Sequence, residues 1–241
     1  ALWFDFPVLR KVVALLLPAG AGAAFYLIRP WVKAMAVVAG ACALVLAWWL
    51  TLQPRQDRDW RADAARTASI TLNGEKAAIH NLRNFNYRSE TDYTPVYEDR
   101  NVDLQKLRGV DLFICYWGSP YIAHPILSFD FGDDGHVCFS IETRPEKGES
   151  YSALGGLYRQ FELMVIVADE SDVIRLRTNF RQGEDVYHYR LKTTPELART
   201  SFLEYVATVN DLDRKPRWYN AVTNNCTTAI RNQRMSSERA P

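Results

Sequence analysis

A cysteine late in the chain has the surroundings of a nucleophile. Cys226 lies in YNAVTNNCTTAI, where Asn224 or Asn225 is predicted to cap a helix that begins at the cysteine. A helix N-terminus presents unpaired N–H groups and the positive end of the helix dipole, and both stabilise a thiolate. The pattern indicates either such a nucleophile or a buried apolar residue, which is what most free cysteines are.

A thiol nucleophile needs a base, and the sequence offers two histidines on neighbouring predicted strands. His124 in YIAHPILSF and His136 in DDGHVCFSIE are predicted to lie on either side of a Gly-Asp-Asp-Gly hairpin turn. Imidazole can take the thiol proton and later return a proton to the leaving group. His80 and His188 lie in alternating apolar patterns and are predicted to be ordinary strand residues.

Short strands and helices would position these residues in an α+β domain with an antiparallel sheet. Glycine, proline, aspartate and asparagine separate the β-rich segments. These segments are ASITL, AAIHNLRNFNY, VDLFICYW, IAHPILSFDF, HVCFSIETR, YRQFELMVIVA and EDVYHYRLK. One helix is predicted from Thr194 to Asn210, with Thr194 as N-cap and Pro195 in its first turn. Another is predicted from about Asp57 to Thr67.

The first fifty residues are predicted to form a transmembrane helical hairpin. Apolar spans cover about residues 10–28 and 32–52, each near the roughly 20 residues that a membrane-spanning helix needs. The sequence RPWVK separates them. The chain is therefore predicted to comprise a membrane hairpin, residues 1–53, and a further domain, residues 54–241. A plain count of the flanking cations slightly favours both ends of the hairpin in the cytoplasm.

Composition argues against several other classes of protein. The chain has 29 Lys and Arg against 28 Asp and Glu, so no strong field attracts nucleic acid, and no nucleic-acid binding is predicted. Its four cysteines show neither a disulfide framework nor zinc-finger spacing, so no structural metal is predicted. No cofactor is expected. Cys115 and Cys138 fall in apolar strand patterns and are predicted to be core residues.

The order of these motifs resembles a known group of thiol enzymes. A histidine, a second histidine twelve residues later and a later Asn-Cys occur in circularly permuted papain-like enzymes of the lecithin retinol acyltransferase type. Six motifs in order between Asp57 and Thr228 also resemble the bacterial Lnb N-terminal periplasmic domain family. They are DRDWRADAARTA, NLRNFNYRSETDY, VDLFICYW, IAHPILSFDF, FSIETR and TNNCTT.

The resemblance implies a circularly permuted papain-like domain of the NlpC type, facing the periplasm from the bacterial inner membrane. This location opposes the slight charge bias of the hairpin. Enzymes of this type form thioester acyl intermediates, and the family includes transacylases that act on lipoproteins. The resemblance therefore implies the lipid bilayer as partner and a membrane phospholipid or lipoprotein as substrate. It also implies a further C-terminal part after Pro241.

On this resemblance Cys226 attacks an ester or amide carbonyl, and His124 acts as its base. Either His136 or Glu142 would orient His124. His136 has the hairpin spacing, whereas Glu142 is the acidic residue of FSIETR in an otherwise apolar strand and is slightly favoured. Arg144 lies two positions further on the same strand face, where it would bind substrate or simply pair with Glu142.

Other residues are candidates for supporting roles. An oxyanion would need the backbone N–H of the nucleophile and one polar side chain, for which Asn225, Asn224 and Tyr116 are available. Helix capping is the alternative role of each asparagine. Arg83 in NLRNFNYRS is a candidate for binding an anionic head group, with a structural network as the alternative.

Three functions follow from these interpretations. The leading hypothesis is a membrane-anchored cysteine acyltransferase or lipid-directed thiol hydrolase, because the anchor and the nucleophile then share one explanation. The second keeps the Cys-His pair but acts on peptides, as a cysteine protease or cell-wall amidase. The third is a membrane-tethered binding domain in which the thiol is buried and inert.

Overall fold

The chain divides into two compact units, Ala1–Pro54 and Arg55–Pro241. The computed structural model describes residues 7–119, 121 and 123–223. Cys226, Asn224 and Asn225 therefore lie outside the described residues, as does the helix predicted to begin there.

The N-terminal unit contains two helices in the predicted apolar segments. Helix α1 is Pro7–Leu27 and helix α2 is Trp31–Thr51, with Pro30 preceding the second. By length and composition α2 could cross a membrane, whereas the apolar part of α1, Ala14–Leu27, is shorter. One candidate spanning helix is thus present among the described residues, and a hairpin in which both helices cross the bilayer stays a prediction.

The second unit is built around an eight-stranded sheet. Its strands are β1 Ser69–Asn73, β2 Lys76–Arg83, β5 Tyr97–Asp103, β6 Gly109–Trp117, β7 Ala123–Asp130, β8 His136–Arg144, β9 Glu162–Ala168 and β10 Glu184–Arg190. Seven of them follow the order β1-β2-β9-β8-β7-β6-β10, and β5 pairs with β2 beside this path. A separate small hairpin pairs β3, Asn86–Tyr87, with β4, Tyr93–Thr94. The predicted antiparallel sheet is in fact mixed, because β2 and β9 pair in parallel.

Helices cover the two faces of the sheet. Successive side chains of each strand point to opposite faces, so a hydrophobic core forms on each face. Helix α5, Pro195–Arg214, packs Phe202 and Tyr205 against Phe129 and Phe139 on one face. Two shorter helices, α3 Ala153–Leu157 and α4 Glu170–Arg175, precede it, and α4 continues into a π-helical turn, Leu176–Phe180. Val173 of α4 belongs to the core cluster of the opposite face.

Cys115 and Cys138 lie in this second core. Both are fully buried, and they share this cluster with Ile126 and Phe113. Burial raises the pKa of the Cys115 thiol to about 11 and that of Cys138 well above its usual value. The prediction that both are core residues is confirmed, and neither thiol is poised to ionise near neutral pH.

The cap predicted for α5 is present. Thr194 Oγ1 accepts a hydrogen bond from the backbone N–H of Leu197 at 3.3 Å, and Pro195 is the first helical residue. Replacing Thr194 by Ala leaves that N–H without its partner and is expected to lower the free energy of unfolding by about 1 kcal/mol. Denaturant unfolding measures the change. Thr194→Ser keeps the hydroxyl and should retain the stability, so equal losses in both variants would contradict the capping explanation.

The juxtamembrane helix predicted from Asp57 to Thr67 is wrong. Within that range the structure has only a short 3-10 turn, Ala62–Ala64. The backbone is extended because the folded domain takes its polar groups: Arg61 N–H donates to Pro145 O at 3.0 Å, and Asp59 O accepts from Lys147 N–H at 2.8 Å. Tertiary hydrogen bonds therefore replace the helical ones.

Candidate active site

His124 and Glu142 meet across β7 and β8. These strands pair with Ile126 opposite Ser140, so the antiparallel register brings position 142 towards position 124. His124 Nε2 lies 3.0 Å from Glu142 Oε1. The His124 side chain is 3% exposed and that of Glu142 24%, which places the pair at the edge of the core rather than on the surface.

Ser140 completes a small hydrogen-bonded triangle with this pair. Its fully buried hydroxyl lies 2.7 Å from His124 Nε2 and donates to Glu142 Oε1 at 2.8 Å. Because the hydroxyl gives its single hydrogen to Glu142, it can only accept from the imidazole. An ionised carboxylate also only accepts. Both neighbours therefore require the hydrogen on Nε2, which makes Nδ1 the nitrogen that gains and loses a proton.

A buried arginine stabilises the charge of Glu142. Arg177 NH2 donates to Glu142 Oε1 at 2.8 Å, and its NH1 donates to Glu184 Oε2 at 3.1 Å. The Arg177 side chain is only 5% exposed. Burial by itself would raise the pKa of Glu142, but the nearby charges of His124 and Arg177 and the hydrogen bonds outweigh it and hold that pKa well below its usual range.

The His124–Glu142 pair lies in the wall of a cavity of about 730 Å³. The lining combines apolar and aromatic side chains with charged ones. The apolar part includes Trp117, Ile141, Met164, Ile166, Val173 and Leu176. The charged part includes Arg61, Asp63, Arg83, Arg177, Arg181 and Glu184. Such a cavity is of the size that holds a small molecule or the end of a larger one.

Trp117 at the end of β6 forms part of this wall. Its ring stacks on the His124 imidazole with the ring centres 5.9 Å apart and an interplanar angle of 16°. Cys115 lies directly opposite His124 in the register of β6 and β7. The imidazole is therefore held between an indole, a buried thiol and the Ser140–Glu142 pair, and its orientation is determined by packing as well as by hydrogen bonds.

The structure does not bring His136 to His124. In the register of the hairpin His136 stands opposite Asp130, and its Nε2 lies 3.8 Å from Asp130 Oδ1. At about 3.3 Å per residue it is roughly 20 Å along β8 from Glu142. In an antiparallel hairpin, the number of residues between two paired positions increases with distance from the turn. His124 lies far from the turn, so a residue only twelve positions later cannot stand opposite it. Of the two residues predicted to orient His124, Glu142 is the one within hydrogen-bonding distance of the imidazole.

Tyr116 also lies away from the site. It stands opposite Ala123, one position out of phase with the Cys115–His124 pair, so its side chain points to the other face of the sheet. There its ring makes an edge contact with Tyr187 at 5.6 Å. The described geometry therefore gives Tyr116 no access to an oxyanion beside His124.

Arg83 and Arg144 both have structural partners. Arg83 borders the cavity, but its Nε and NH2 donate to buried Asp172, and its NH1 donates to the carbonyl of Asp63. Arg144 is 4% exposed. It donates to the carbonyls of Ala64 and Ala65 and to Gln56 Oε1. The expected Arg144–Glu142 pair is replaced by the contact between Glu142 and Arg177.

The chain leading to Cys226 runs along the same cavity. Tyr219 and Ala221 line it, and Asn220 Oδ1 then accepts hydrogen bonds from the backbone N–H groups of Val222 and Thr223 at 2.9 Å. The described residues end at Thr223, three positions before the cysteine.

Sequence reasoning missed Ser140 and Arg177. Ser140 had a usable signal, since a hydroxyl two positions before Glu142 shares its strand face. No such signal pointed to Arg177, because it lies on a different element, 35 positions after Glu142.

Comparison with known families identifies the domain. The model of the Lnb N-terminal periplasmic domain matches residues 93–235, more than half of the chain. The chain belongs to this family. The match spans the strands that carry His124 and Glu142 and extends past Cys226. No curated protein and no solved structure matches the chain.

Membership in the Lnb N-terminal periplasmic domain family implies a periplasmic location for the domain. The candidate spanning helix α2 precedes it in the chain. Together they indicate a membrane-anchored protein with a periplasmic domain, which agrees with the location implied by the sequence motifs and disagrees with the count of flanking cations.

Proposed function

We propose that this Lnb-family domain is a membrane-anchored cysteine acyltransferase or lipid-directed thiol hydrolase. The observation that carries the proposal is the His124 Nε2–Glu142 Oε1 contact of 3.0 Å in the wall of a large cavity. An ionised carboxylate that holds one ring nitrogen leaves the other as a general base, which is the arrangement that activates a thiol or hydroxyl nucleophile.

Cys226 is the proposed nucleophile. It follows the cavity-lining Ala221 by five positions, and five residues reach at most about 18 Å when fully extended. The thiols of Cys115 and Cys138 are disfavoured as nucleophiles because burial raises the pKa of each. A histidine strand, a carboxylate strand and a later cysteine also support the permuted papain-like arrangement.

An acylated amphiphile is the proposed substrate. The cavity is lined by apolar side chains and by charged ones, among which four arginines lie beside Asp63, Glu142 and Glu184. It therefore suits a molecule with an acyl chain next to a polar group such as an ester. A membrane phospholipid or a lipoprotein has this chemistry. The candidate membrane helix α2 would keep the domain at the inner membrane where such substrates lie.

Cys226, His124, the substrate and an acceptor account for every proton and every bond in the proposed reaction. The thiol proton of Cys226 passes to His124 Nδ1, and the thiolate attacks the acyl carbonyl carbon. The bond from that carbon to the leaving alcohol breaks, and the alcohol takes the proton from Nδ1. In the second half an acceptor, either an amine or water, gives its proton to Nδ1 and attacks the thioester. The released sulfur then recovers the proton.

The direct test is the mass of Cys226 after incubation of the full-length protein with bacterial membrane lipid. We expect a fatty-acyl adduct that hydroxylamine removes, because hydroxylamine cleaves thioesters. Peptide mapping distinguishes Cys226 from the other three cysteines. The Cys226→Ala variant, which has no thiol at that position, is the control.

Other outcomes separate the remaining hypotheses. Release of a peptide or an amino sugar without a fatty-acyl adduct would favour the protease or amidase. No adduct with lipid, lipoprotein or peptidoglycan fragments, together with a Cys226 thiol that iodoacetamide modifies only slowly, would favour a binding domain and contradict the proposal.

A further inference from the structure

We infer that Arg177 is a positioning residue that keeps the Glu142 carboxylate charged and thereby keeps the hydrogen of His124 on Nε2. The inference rests on the proposed function only in taking His124 as the base. Arg177 itself contacts the carboxylates of Glu142 and Glu184 rather than the imidazole, so it would act on the chemistry through Glu142.

The backbone around Arg177 has a rare conformation. It lies in the π-helical turn Leu176–Phe180, a rare conformation that is frequent at functional sites. Leu176 beside it is packed in an aromatic cluster with Phe85 and Tyr87. This packing anchors the turn against the domain, so the guanidinium is presented to Glu142 from a rigid support.

The surrounding charges leave Arg177 available to Glu142. Its second partner, Glu184, also receives a hydrogen bond from Arg181 at 3.0 Å, so the negative charge of Glu184 is shared between two arginines. Arg61, the other cation near Glu142, forms a two-point pair with Asp63. Besides the imidazole of His124, Arg177 is therefore the cation among the described residues that donates directly to Glu142.

Removing this cation would change where the shared proton lies. At intermediate pH the His124–Glu142 pair holds one more proton than at high pH. With Arg177 present the carboxylate stays ionised and the proton is on the imidazole. Without it, burial favours the neutral pair, in which Glu142 carries the proton and donates it to Nε2. The ring hydrogen then moves to Nδ1, and Nδ1 can no longer accept the thiol proton.

Nitrogen-15 NMR of the imidazole tests this directly. The full-length protein is labelled with ¹⁵N-histidine in lipid nanodiscs, and the signal of His124 is assigned by its loss in His124→Gln. In the wild type we expect hydrogen on Nε2 at every pH. In Arg177→Met we expect a pH window in which the Nδ1–H form exceeds the Nε2–H form by about tenfold, corresponding to one pKa unit.

One further variant and one change of pH control for a merely structural effect. Arg181→Met removes a neighbouring cation that contacts Glu184 and Glu90 but does not donate to Glu142, and it should leave the His124 tautomer unchanged. Raising the pH of Arg177→Met should restore Nε2–H, because Glu142 then ionises again. A structural disturbance would not reverse with pH.

The absence of such a window in a folded Arg177→Met protein would overturn the inference. The signals of His80 and His188 report folding. If Arg177→Met does not fold, Arg177→Lys decides, since lysine loses the two-carboxylate contact and should open a narrower window; an unchanged tautomer would again overturn it. Failure of the proposed function would instead appear as a missing Cys226 adduct, with the NMR result unaffected.

Discussion

Replacement of His124 by Ala is expected to lower the rate at which Cys226 is alkylated near neutral pH by about 10²–10⁴-fold, the usual contribution of a general base. His124 is expected to take the thiol proton through Nδ1, since Ser140 and Glu142 bind its Nε2. Without the ring the thiol must ionise unaided. The rate is measured with iodoacetamide on the full-length protein, with the site of modification identified by mass.

His188→Ala is the matched control for this experiment. His188 is another strand histidine with a carboxylate partner, Asp111 at 2.9 Å, and it stacks on Phe113. It is not among the residues that line the cavity. Its replacement should leave the alkylation rate of Cys226 unchanged. Equal rates in wild type and His124→Ala, or an equal fall in both variants, would contradict the role of His124.

Replacement of Asp172 by Ala is expected to lower the free energy of unfolding by about 3–5 kcal/mol, the cost of leaving a buried charge without its partner. Asp172 is fully buried and accepts from Arg83 Nε and NH2 and from the backbone N–H of Phe85 at 2.7 Å. Removal of the carboxylate leaves the charged Arg83 side chain, which is 7% exposed, in the protein interior. Denaturant unfolding of the full-length protein in detergent measures the loss.

An exposed ion pair provides the comparison. Asp92 pairs with Arg88 on the surface of the small β3–β4 hairpin, with more than half of each side chain exposed. Asp92→Ala should therefore barely change stability, since water and salt already screen that pair. If Asp172→Ala is no more destabilising than Asp92→Ala, the buried pair does not hold α4 to the end of β2.

The Asp172 network also supports the candidate site. Asp172 lies on α4, the helix that continues into the π turn with Arg177, and Arg83 lies at the end of β2. Loss of the pair should therefore loosen the element that presents Arg177 to Glu142. A site formed by several strands and one short helix depends on such buried contacts for its geometry.

The strands of this domain could be predicted because their signals are local. The segment HVCFSIETR was predicted as a strand, and β8 is His136–Arg144. Alternating or continuous apolar residues between glycine and aspartate turns identify such segments without knowledge of their neighbours. Strand β5 and helix α4 were missed, since β5 is rich in charged residues and α4 is only six residues long.

The register of the hairpin explains why Glu142, and not His136, lies beside His124. The hairpin turn at Gly132–Asp134 fixes which residues of β7 and β8 face each other, and it places Asp130 opposite His136 and Ile126 opposite Ser140. Continuing that register takes His124 to Glu142. The turn was visible in the sequence, and counting outwards from it supports the preference for Glu142 over the twelve-residue spacing.

The sequence by itself determined the β-rich domain, the apolar N-terminal helices, the cap of α5 and the family motifs, because each depends on neighbouring residues along the chain. Only the tertiary structure decided that Glu142 meets His124, that Ser140 joins them, and that Arg177 stabilises the carboxylate. These contacts depend on strand register and on a helix packed across the sheet. Burial increases the effect of these contacts, since a carboxylate removed from water needs a cation and hydrogen bonds to remain charged.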